Sequence, residues 1–200
     1  MYIAIEGIDT AGKSTQIAAL QQHYTNAITT KEPGATAIGK EIREMVLSAK
    51  TESKKAEFLL FLADRAEHIS RVIRPNIDKT MIISDRSAVS GVAYALAQGE
   101  ITQEELVTLN NFATDGIYPE VIFLLRLTKE TLEYRLSQKE LDGIELRGSS
   151  YLLKIQDAII KAADLLNLKL IEIDATLSPD IITETILNHL QKKEYSPSNS

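Results

Sequence analysis

A run of residues near the start of the chain could cradle the phosphates of a nucleotide. It reads GIDTAGKS and fits the pattern G-x-x-x-x-G-K-[ST] without a mismatch. In this pattern the glycines let the backbone curl so that its N–H groups face phosphate oxygens. Lys13 brings a positive charge to the β and γ phosphates, and the Ser14 hydroxyl can ligate Mg²⁺. We therefore predict a phosphate loop made of Gly7, Ile8, Asp9, Thr10, Ala11, Gly12, Lys13 and Ser14.

The residues on either side of this loop predict the elements that hold it. Residues 2–6 are a short, mostly apolar run that is typical of a buried strand, and residues 14–24 place Ile17, Ala18 and Leu20 at helical spacing. Bound phosphates would then lie at the N-terminus of a helix, where unpaired N–H groups and the helix dipole favour anions.

The rest of the chain alternates between short apolar runs and longer helical patterns. Strands that are separated by helices predict a parallel sheet with helices on both faces, so the fold class is α/β with five strands. Ligands of such sheets bind beyond the carboxyl ends of the strands. The apolar runs are residues 2–6, 27–30, 81–84, 121–127 and 168–173.

Polar side chains follow the second and third of these runs. Asp85 directly follows the third run and could hold Mg²⁺ beside the phosphate loop, or it could cap the next helix. Arg86 could grip a phosphate with two parallel hydrogen bonds, or form a surface ion pair. Glu32 and Pro33 follow the second run, where Glu32 could face the metal and substrate or simply flank the turn.

A long helix is predicted over residues 56–74, and it carries Phe61 and Arg65 on one face. A ring beside a guanidinium suits a planar base with polar edges. Spacing alone, however, favours Phe61 as a core residue.

The charged segment from Arg135 to Arg147 contains Lys139 and Gly143 and lies between two helical patterns. It could close over a site as a lid that keeps water from the phosphoryl group, or it could be an ordinary solvated loop. We predict one domain over residues 1–191, with a lid at about 135–149 and a disordered tail over residues 192–200.

Composition narrows the class of protein. The net charge of −6 argues against a broad nucleic-acid-binding surface, although a pocket with a few aimed cations can still take a small anion. The chain has no cysteine, its first residues lack the basic region of a signal peptide, and no apolar run could span a bilayer. We therefore expect a cytoplasmic protein that binds neither nucleic acid nor membrane.

Taken together, these motifs resemble the bacterial thymidylate kinase family over roughly residues 1–190. The matching segments are IEGIDTAGKST at 5–15, EPGAT at 32–36, FLADR at 61–65, DRSAVSGVAY at 85–94, LDGIE at 141–145 and IDAT at 173–176. The resemblance implies the three-layer fold of the phosphate-loop nucleoside monophosphate kinases. It also implies transfer of the γ-phosphoryl group of ATP to dTMP with Mg²⁺, by a homodimer.

The resemblance further assigns roles to individual residues. Thr15 and Ala175 would join the phosphate loop in binding ATP, and Ser14 and Asp85 would hold the metal. Asp9 would lie near the sugar 3′-hydroxyl and the acceptor phosphate, and Arg86 would bind that phosphate. The remaining side chains would surround dTMP: Glu32 and Pro33 at the turn, Phe61 stacked on thymine, Arg65 at the base edge or the acceptor phosphate, and Ser90 and Tyr94 along the base and deoxyribose.

Four positions depart from the family pattern. The family usually has Tyr or His where this chain has Ser87, and its lid commonly has a basic residue where this chain has Gly143. Thr10 supplies no arginine within the phosphate loop, so the cation that stabilises the transferring group must come from elsewhere, with Arg135, Lys139 and Arg147 as candidates. Arg126 stands where the family commonly has an acid, and the sequence offers no physical reason for it.

Other functions remain open at this level. A deoxynucleoside kinase would phosphorylate a sugar hydroxyl and would need a carboxylate base, for which Glu32 is the candidate. A GTP-dependent switch would need a guanine-reading N-K-x-D motif, which the chain lacks. A non-catalytic module would bind ATP and transfer nothing.

Overall fold

The computed structural model describes residues 1–48, 52–138 and 147–194. Within these residues the strands are β1 Tyr2–Glu6, β2 Ile28–Lys31, β3 Ile82–Asp85, β4 Val121–Arg126 and β5 Leu170–Asp174. The α-helices are α1 Lys13–His23, α2 Ala37–Leu47, α3 Lys54–His68, α4 Ala88–Gln98, α5 Gln103–Thr114, α6 Lys129–Leu136, α7 Ser149–Leu165 and α8 Pro179–Glu194. A π-helical turn, Ile69–Ile73, continues α3.

The strands form a five-stranded parallel sheet in the order β2-β3-β1-β4-β5. The predicted α/β fold class is thus confirmed, and every predicted strand is present. The central strands β1 and β4 are almost entirely buried, whereas β2 and β5 lie at the edges and are partly exposed. Continuous apolar runs such as VIFLL in β4 are what a strand covered on both faces requires.

The strand order explains how the helices form two outer layers. The connection from β1 to β2 runs toward one edge of the sheet, while the later connections run toward the other edge. Because parallel crossovers are right-handed, α1 lies on one face and α2 to α7 lie on the opposite face. The contacts agree, since α1 packs against α8, and α4 packs against α3, α5 and α7.

Short polar side chains fix where several helices begin. Each accepts a hydrogen bond from a backbone N–H of the first turn, which would otherwise lack an intrahelical partner. These N-cap residues are Thr36, Ser53, Ser87, Thr102 and Thr128.

Two predicted boundaries need comment. The last helix continues to Glu194, which is beyond the end of the domain predicted at residue 191. Most of the predicted lid, residues 139–146, and the end of the predicted tail, residues 195–200, lie outside the described residues.

Among the helices that the structure describes, none combines the length and the apolar character that crossing a membrane requires.

Candidate active site

The phosphate loop connects the end of β1 to the start of α1, as predicted. Gly12 is the residue before α1 and has a φ of 99°, a left-handed conformation that glycine adopts without strain. The helix begins at Lys13, and the side chains of Ser14 and Thr15 are exposed in its first turn. The N-terminus of α1 therefore faces the space in which the predicted phosphates would lie.

Lys13 folds back over the loop. Its Nζ donates to the carbonyls of Gly7 at 3.1 Å and Ile8 at 3.3 Å, and lies 3.8 Å from Oδ1 of Asp9. Burial, together with the nearby Arg86 guanidinium, lowers the pKa of Lys13 to about 8. An anion placed at the loop would favour the charged form of this amine.

The strand order brings the three predicted motifs together at the carboxyl ends of neighbouring strands. β3 lies between β1 and β2, and the ladders continue past the strands: the backbone N–H of Arg86 donates to Ile5 and that of Glu32 donates to Asp85, both at 3.0 Å. The phosphate loop, the Glu32–Pro33 turn and the Asp85–Arg86 pair are therefore neighbours. The peptide bond between Glu32 and Pro33 is cis.

Arg86 has an uncommon backbone conformation. Its φ of 69° is left-handed, which is costly for a residue with a side chain and is often retained at functional positions. Its side chain reaches the phosphate loop, where Nη2 donates to Oδ1 of Asp9 at 2.8 Å, while Nη1 donates to Oγ of Ser90 at 3.2 Å. The two residues that the resemblance places at the acceptor phosphate, Asp9 and Arg86, are thus in direct contact.

Arg65 lies deeper and is almost completely buried, with 1% of its surface exposed. Its Nε donates to Oε1 of Glu32 at 2.6 Å, Nη2 contacts the same oxygen, and Nη1 donates to Oδ1 of Asn110. Its guanidinium packs over Gly91, where a Cβ would come within 2.8 Å of Nη2. Glu32 and Asn110 therefore fix both the charge balance and the orientation of Arg65.

The ion pair also determines the state of Glu32. Burial alone would raise the pKa of Glu32, but Arg65 and the adjacent His68 outweigh it and hold the pKa below its usual range. Glu32 is thus an ionised partner of Arg65 and is itself 4% exposed. This arrangement does not suit the exposed catalytic base that the deoxynucleoside kinase alternative requires.

Two aromatic side chains flank Arg65 and Arg86 along the helices. Phe61 lies one turn before Arg65 on α3 and is half-buried, whereas its neighbours Phe58 and Leu62 are buried in the core. The position that spacing alone assigned to the core is therefore only partly covered. Tyr94 on α4 is also half-buried, and burial raises its pKa to about 12, so the phenol is neutral.

A second buried acid, Asp64, lies beside the Glu32 turn. Its Oδ1 accepts a hydrogen bond from the backbone N–H of Gly34 at 3.0 Å, and Oδ2 has no hydrogen-bond partner within the described parts of the chain. Burial and the neighbouring Glu32 carboxylate raise the pKa of Asp64 to about 6, against the opposing effects of His68 and Arg65.

This raised pKa predicts a pH-dependent gain in stability for Asp64→Asn. The native protein holds a proton on Asp64 up to about pH 6, whereas the unfolded chain releases it near 3.8, so the ionised carboxylate destabilises the fold at higher pH. We expect Asp64→Asn to raise the free energy of unfolding by roughly 1–3 kcal/mol at pH 8 and by much less at pH 4.5. Urea unfolding at both pH values measures this. An equal increment at both, or a similar gain for the exposed Asp157→Asn, would contradict it.

Arg135 connects the two segments predicted to bind ATP. Its Nη1 donates to the carbonyl of Thr10 at 2.9 Å, and its Nη2 donates to the carbonyl of Ala175 at 2.8 Å. Arg147, in contrast, donates to the hydroxyl of Tyr151 and lies over that ring. Lys139 lies outside the described residues. Of the three candidate cations, Arg135 is therefore the one that the structure places at the phosphate loop.

The residues predicted to hold a metal have suitable chemistry. Oδ1 of Asp85 is buried and has no hydrogen-bond partner among residues 1–48, 52–138 and 147–194, and it lies at the end of the strand next to β1. A carboxylate and the Ser14 hydroxyl are hard oxygen donors, which suit Mg²⁺ when phosphate oxygens complete the set.

Arg126, unexplained by the sequence, donates to Glu172 at 2.6 Å and Asp157 at 3.0 Å on the surface.

Sequence reasoning missed two residues of this site, Glu6 and Asn110. Asn110 lies on the buried face of α5, one turn after Leu106, so an amide within an apolar helical stripe was the available signal. Glu6 ends β1 with none of its surface exposed and contacts the start of α4. An acid at the end of an otherwise apolar buried strand was the corresponding signal.

Comparison with known proteins identifies the family. The thymidylate kinase family model matches residues 5–186. A thymidylate kinase of Sulfurimonas denitrificans is 71% identical over 190 residues, which cover 95% of this chain and 99% of the relative. A thymidylate kinase of Sulfurovum sp. is 51% identical over 191 residues, covering 96% and 100% of the two chains. One of Wolinella succinogenes is 50% identical over 188 residues, covering 94% and 97%.

These matches cover nearly the whole chain, including the phosphate loop and the side chains at the edge of the sheet. They support the resemblance that the motifs predicted and not the deoxynucleoside kinase alternative. The phosphate loop, Arg65 and Arg86 all fall within residues 5–186, and this chain belongs to the thymidylate kinase family.

Proposed function

We propose that this chain transfers the γ-phosphoryl group of ATP to dTMP and yields dTDP and ADP. One observation carries the proposal: a phosphate loop and two arginines lie together at the carboxyl ends of the strands. Arg86 contacts Asp9 of that loop, and Arg65 is buried against Glu32. Two nucleotides could therefore approach each other end to end. ATP and nucleoside monophosphates are cytoplasmic metabolites, so we place the reaction in the cytoplasm.

The phosphate loop would bind the donor. Its backbone N–H groups and Lys13 would hold the phosphates of ATP, and Ala175 would border the rest of the nucleotide. Arg135, which already joins Thr10 to Ala175, is the described side chain best placed to add positive charge there. Ser14 and Asp85 would hold Mg²⁺, whose charge neutralises the phosphate oxygens when the ion is bound.

Arg86 would bind the acceptor phosphate. Its guanidinium lies against Asp9 of the loop, so a phosphate that it holds is brought toward the γ-phosphoryl group. The second pKa of such a phosphate is about 6, so its oxygen is largely ionised at neutral pH and needs no strong general base. Catalysis then consists of alignment and charge neutralisation.

Arg65 would read the edge of the base rather than the acceptor phosphate. Its charge is already balanced by Glu32 in a buried ion pair, which weakens any attraction for a dianion. Within the described parts of the chain each terminal nitrogen of Arg65 makes one polar contact and keeps a second N–H, and a guanidinium can only donate. Thymine offers a carbonyl oxygen at position 4, whereas cytosine offers an amino group there. Phe61, one turn away, could stack on the same ring.

A monophosphate panel tests the proposed activity. The protein is incubated with ATP and Mg²⁺ and with each of dTMP, dUMP, dCMP, dGMP and thymidine, and ADP release is measured against a blank without acceptor. We expect dTMP to be the preferred acceptor and thymidine to give no more than the blank. Preferential phosphorylation of thymidine would instead identify a deoxynucleoside kinase, and release that ignores every acceptor would indicate a simple ATPase.

The base-edge role of Arg65 predicts a loss of discrimination in Arg65→Lys. Lysine keeps the charge opposite Glu32 but lacks the planar fork, so we expect the KM for dTMP to rise about 10-fold or more while the KM for ATP stays unchanged. The preference for dTMP over dCMP should fall in parallel. If both pyrimidine monophosphates weakened by the same factor, Arg65 would instead act on the phosphate.

We also propose that the protein is a homodimer that buries its exposed apolar helices. Ile38 on α2, Leu59 on α3 and Phe112 on α5 are 51%, 56% and 83% exposed, and α3 contacts both of the other helices. Large apolar side chains exposed on three neighbouring helices are the material from which an interface is built. Sedimentation should give a dimer for the native chain and a monomer for Phe112→Glu, and a native monomer at micromolar concentration would contradict the proposal.

A further inference from the structure

The single hydrogen of the Ser90 hydroxyl is used within the protein. Ser90 lies on α4 and is 6% exposed, and its Oγ donates to Oε2 of Glu6 while accepting from Nη1 of Arg86. A serine hydroxyl has a single hydrogen. Ser90 therefore cannot donate to a nucleotide without giving up its bond to a buried carboxylate, which would leave that carboxylate short of a donor.

Glu6 sets the direction of this hydroxyl. Its Oε1 accepts from the backbone N–H of Ser87 at 2.8 Å and from Oγ of Ser87 at 2.9 Å, and its Oε2 accepts from Ser90. The bond to Oε2 directs the Ser90 hydrogen to Glu6 and leaves a lone pair for Arg86. Burial raises the pKa of Glu6, and the Arg86 guanidinium and the hydrogen bonds from Ser90 and Ser87 oppose that rise. The carboxylate also joins the strand before the phosphate loop to the first turn of α4.

Arg86 is held by two different kinds of partner. One terminal nitrogen bonds to Asp9, which lies on the loop and is 30% exposed, and the other bonds to Ser90, which lies in a buried helix. Asp9 would also border the incoming substrate, so its contact can change on binding. Ser90 is the partner on a rigid element, where a side chain is positioned most accurately.

We propose that Ser90, oriented by Glu6, is a positioning residue that holds Arg86 for the acceptor phosphate and does not read the base. The inference rests on the proposed function, in which Arg86 binds that phosphate. It differs from the family resemblance, which implies that Ser90 lines the base and deoxyribose. Glu6 gains a role in the same way, as the buried acceptor that fixes the Ser90 hydroxyl.

Ser90→Ala, with Ser87→Ala as a matched control, tests the proposal. Both variants remove one hydroxyl from Glu6, and both side chains are buried, but the Ser87 hydroxyl makes no hydrogen bond to the Arg86 side chain among the described residues. Loss of a hydrogen bond to a charged group should raise the KM for dTMP about 10-fold in Ser90→Ala, with the KM for ATP unchanged. Ser87→Ala also removes the N-cap of α4, so it should lose at least as much thermal stability and yet keep its KM for dTMP.

The choice of base separates positioning from base reading. If Ser90 acts through Arg86, Ser90→Ala weakens dTMP, dUMP and dCMP by the same factor. A change in the ratios among the three would mean that Ser90 contacts the base, and would overturn the proposal. An unchanged KM for all three would overturn it as well.

A double-mutant cycle measures the coupling without turnover. Calorimetry gives the Kd of dTMP for the native protein, Ser90→Ala, Arg86→Ala and the double variant. We expect the effect of Ser90→Ala to disappear when Arg86 is absent, and an undiminished effect would overturn the proposal. A native protein that binds dTMP but transfers nothing would overturn the proposed function alone, since the cycle can still be completed. A native protein that fails to bind dTMP would overturn both.

Discussion

Lys13→Ala is expected to lower turnover about 10²- to 10³-fold while leaving the fold intact. Lys13 lies in the phosphate loop, and its removal takes away a cation that would neutralise charge on the transferring group. The expected effect on turnover is comparable to the loss of one oxyanion donor. In the structure Nζ of Lys13 bonds to two loop carbonyls at 3.1 and 3.3 Å and lies 3.8 Å from Asp9. We expect its removal to change the free energy of unfolding by no more than about 1 kcal/mol. Steady-state kinetics with ATP and dTMP, together with thermal unfolding, measure both quantities.

The exposed Lys161 on α7 offers a matched control. It lies far along the chain from the loop, and Lys161→Ala should retain native turnover and stability. Near-native turnover in Lys13→Ala would remove the lysine from the mechanism. A large loss of stability in the same variant would instead show that the amine is structural.

Glu32→Ala is expected to have the largest effect on stability, lowering the free energy of unfolding by about 3–5 kcal/mol. Its carboxylate accepts from Nε of Arg65 at 2.6 Å, and both side chains are almost fully buried. The variant would leave the Arg65 guanidinium in the interior with Asn110 as its remaining polar partner among the contacts described. Urea unfolding at neutral pH measures the change.

An exposed ion pair with a similar distance between its charged atoms serves as the control. Arg126 and Glu172 approach to 2.6 Å but are 39% and 44% exposed, so water screens both charges. Glu172→Ala should cost less than about 1 kcal/mol. Equal losses for the two variants would mean that burial does not make the Glu32–Arg65 pair important to the fold.

The sequence predicted those features that depend on local pattern. Short apolar runs predicted every strand, and the spacing of glycine, lysine and serine predicted the phosphate loop and the start of α1. Parallel pairing also followed, since helices separate the strands. The meeting of the loop, the Glu32 turn and Arg86 followed from the rule that ligands bind at the carboxyl ends of such strands.

What the sequence did not predict depends on contacts between distant residues. Arg65 is 45 residues from Asn110, and Glu6 is 84 residues from Ser90, so no periodicity links either pair. Phe61 also shows that spacing along a helix does not determine how deeply a side chain is buried. Its spacing on α3 equals that of a core residue, and only the packing of neighbouring helices leaves part of the ring uncovered.

The neutralised Arg65 has a consequence for inhibitor chemistry. A buried guanidinium whose charge is already balanced by Glu32 should donate readily to the uncharged carbonyl of a heterocycle. An acidic fragment in the same place should gain little binding free energy. An added carboxylate would have to shed its own hydration next to an existing anion. Lead compounds for the candidate active site should therefore carry their negative charge at the Arg86 end and present a neutral amide or imide edge to Arg65.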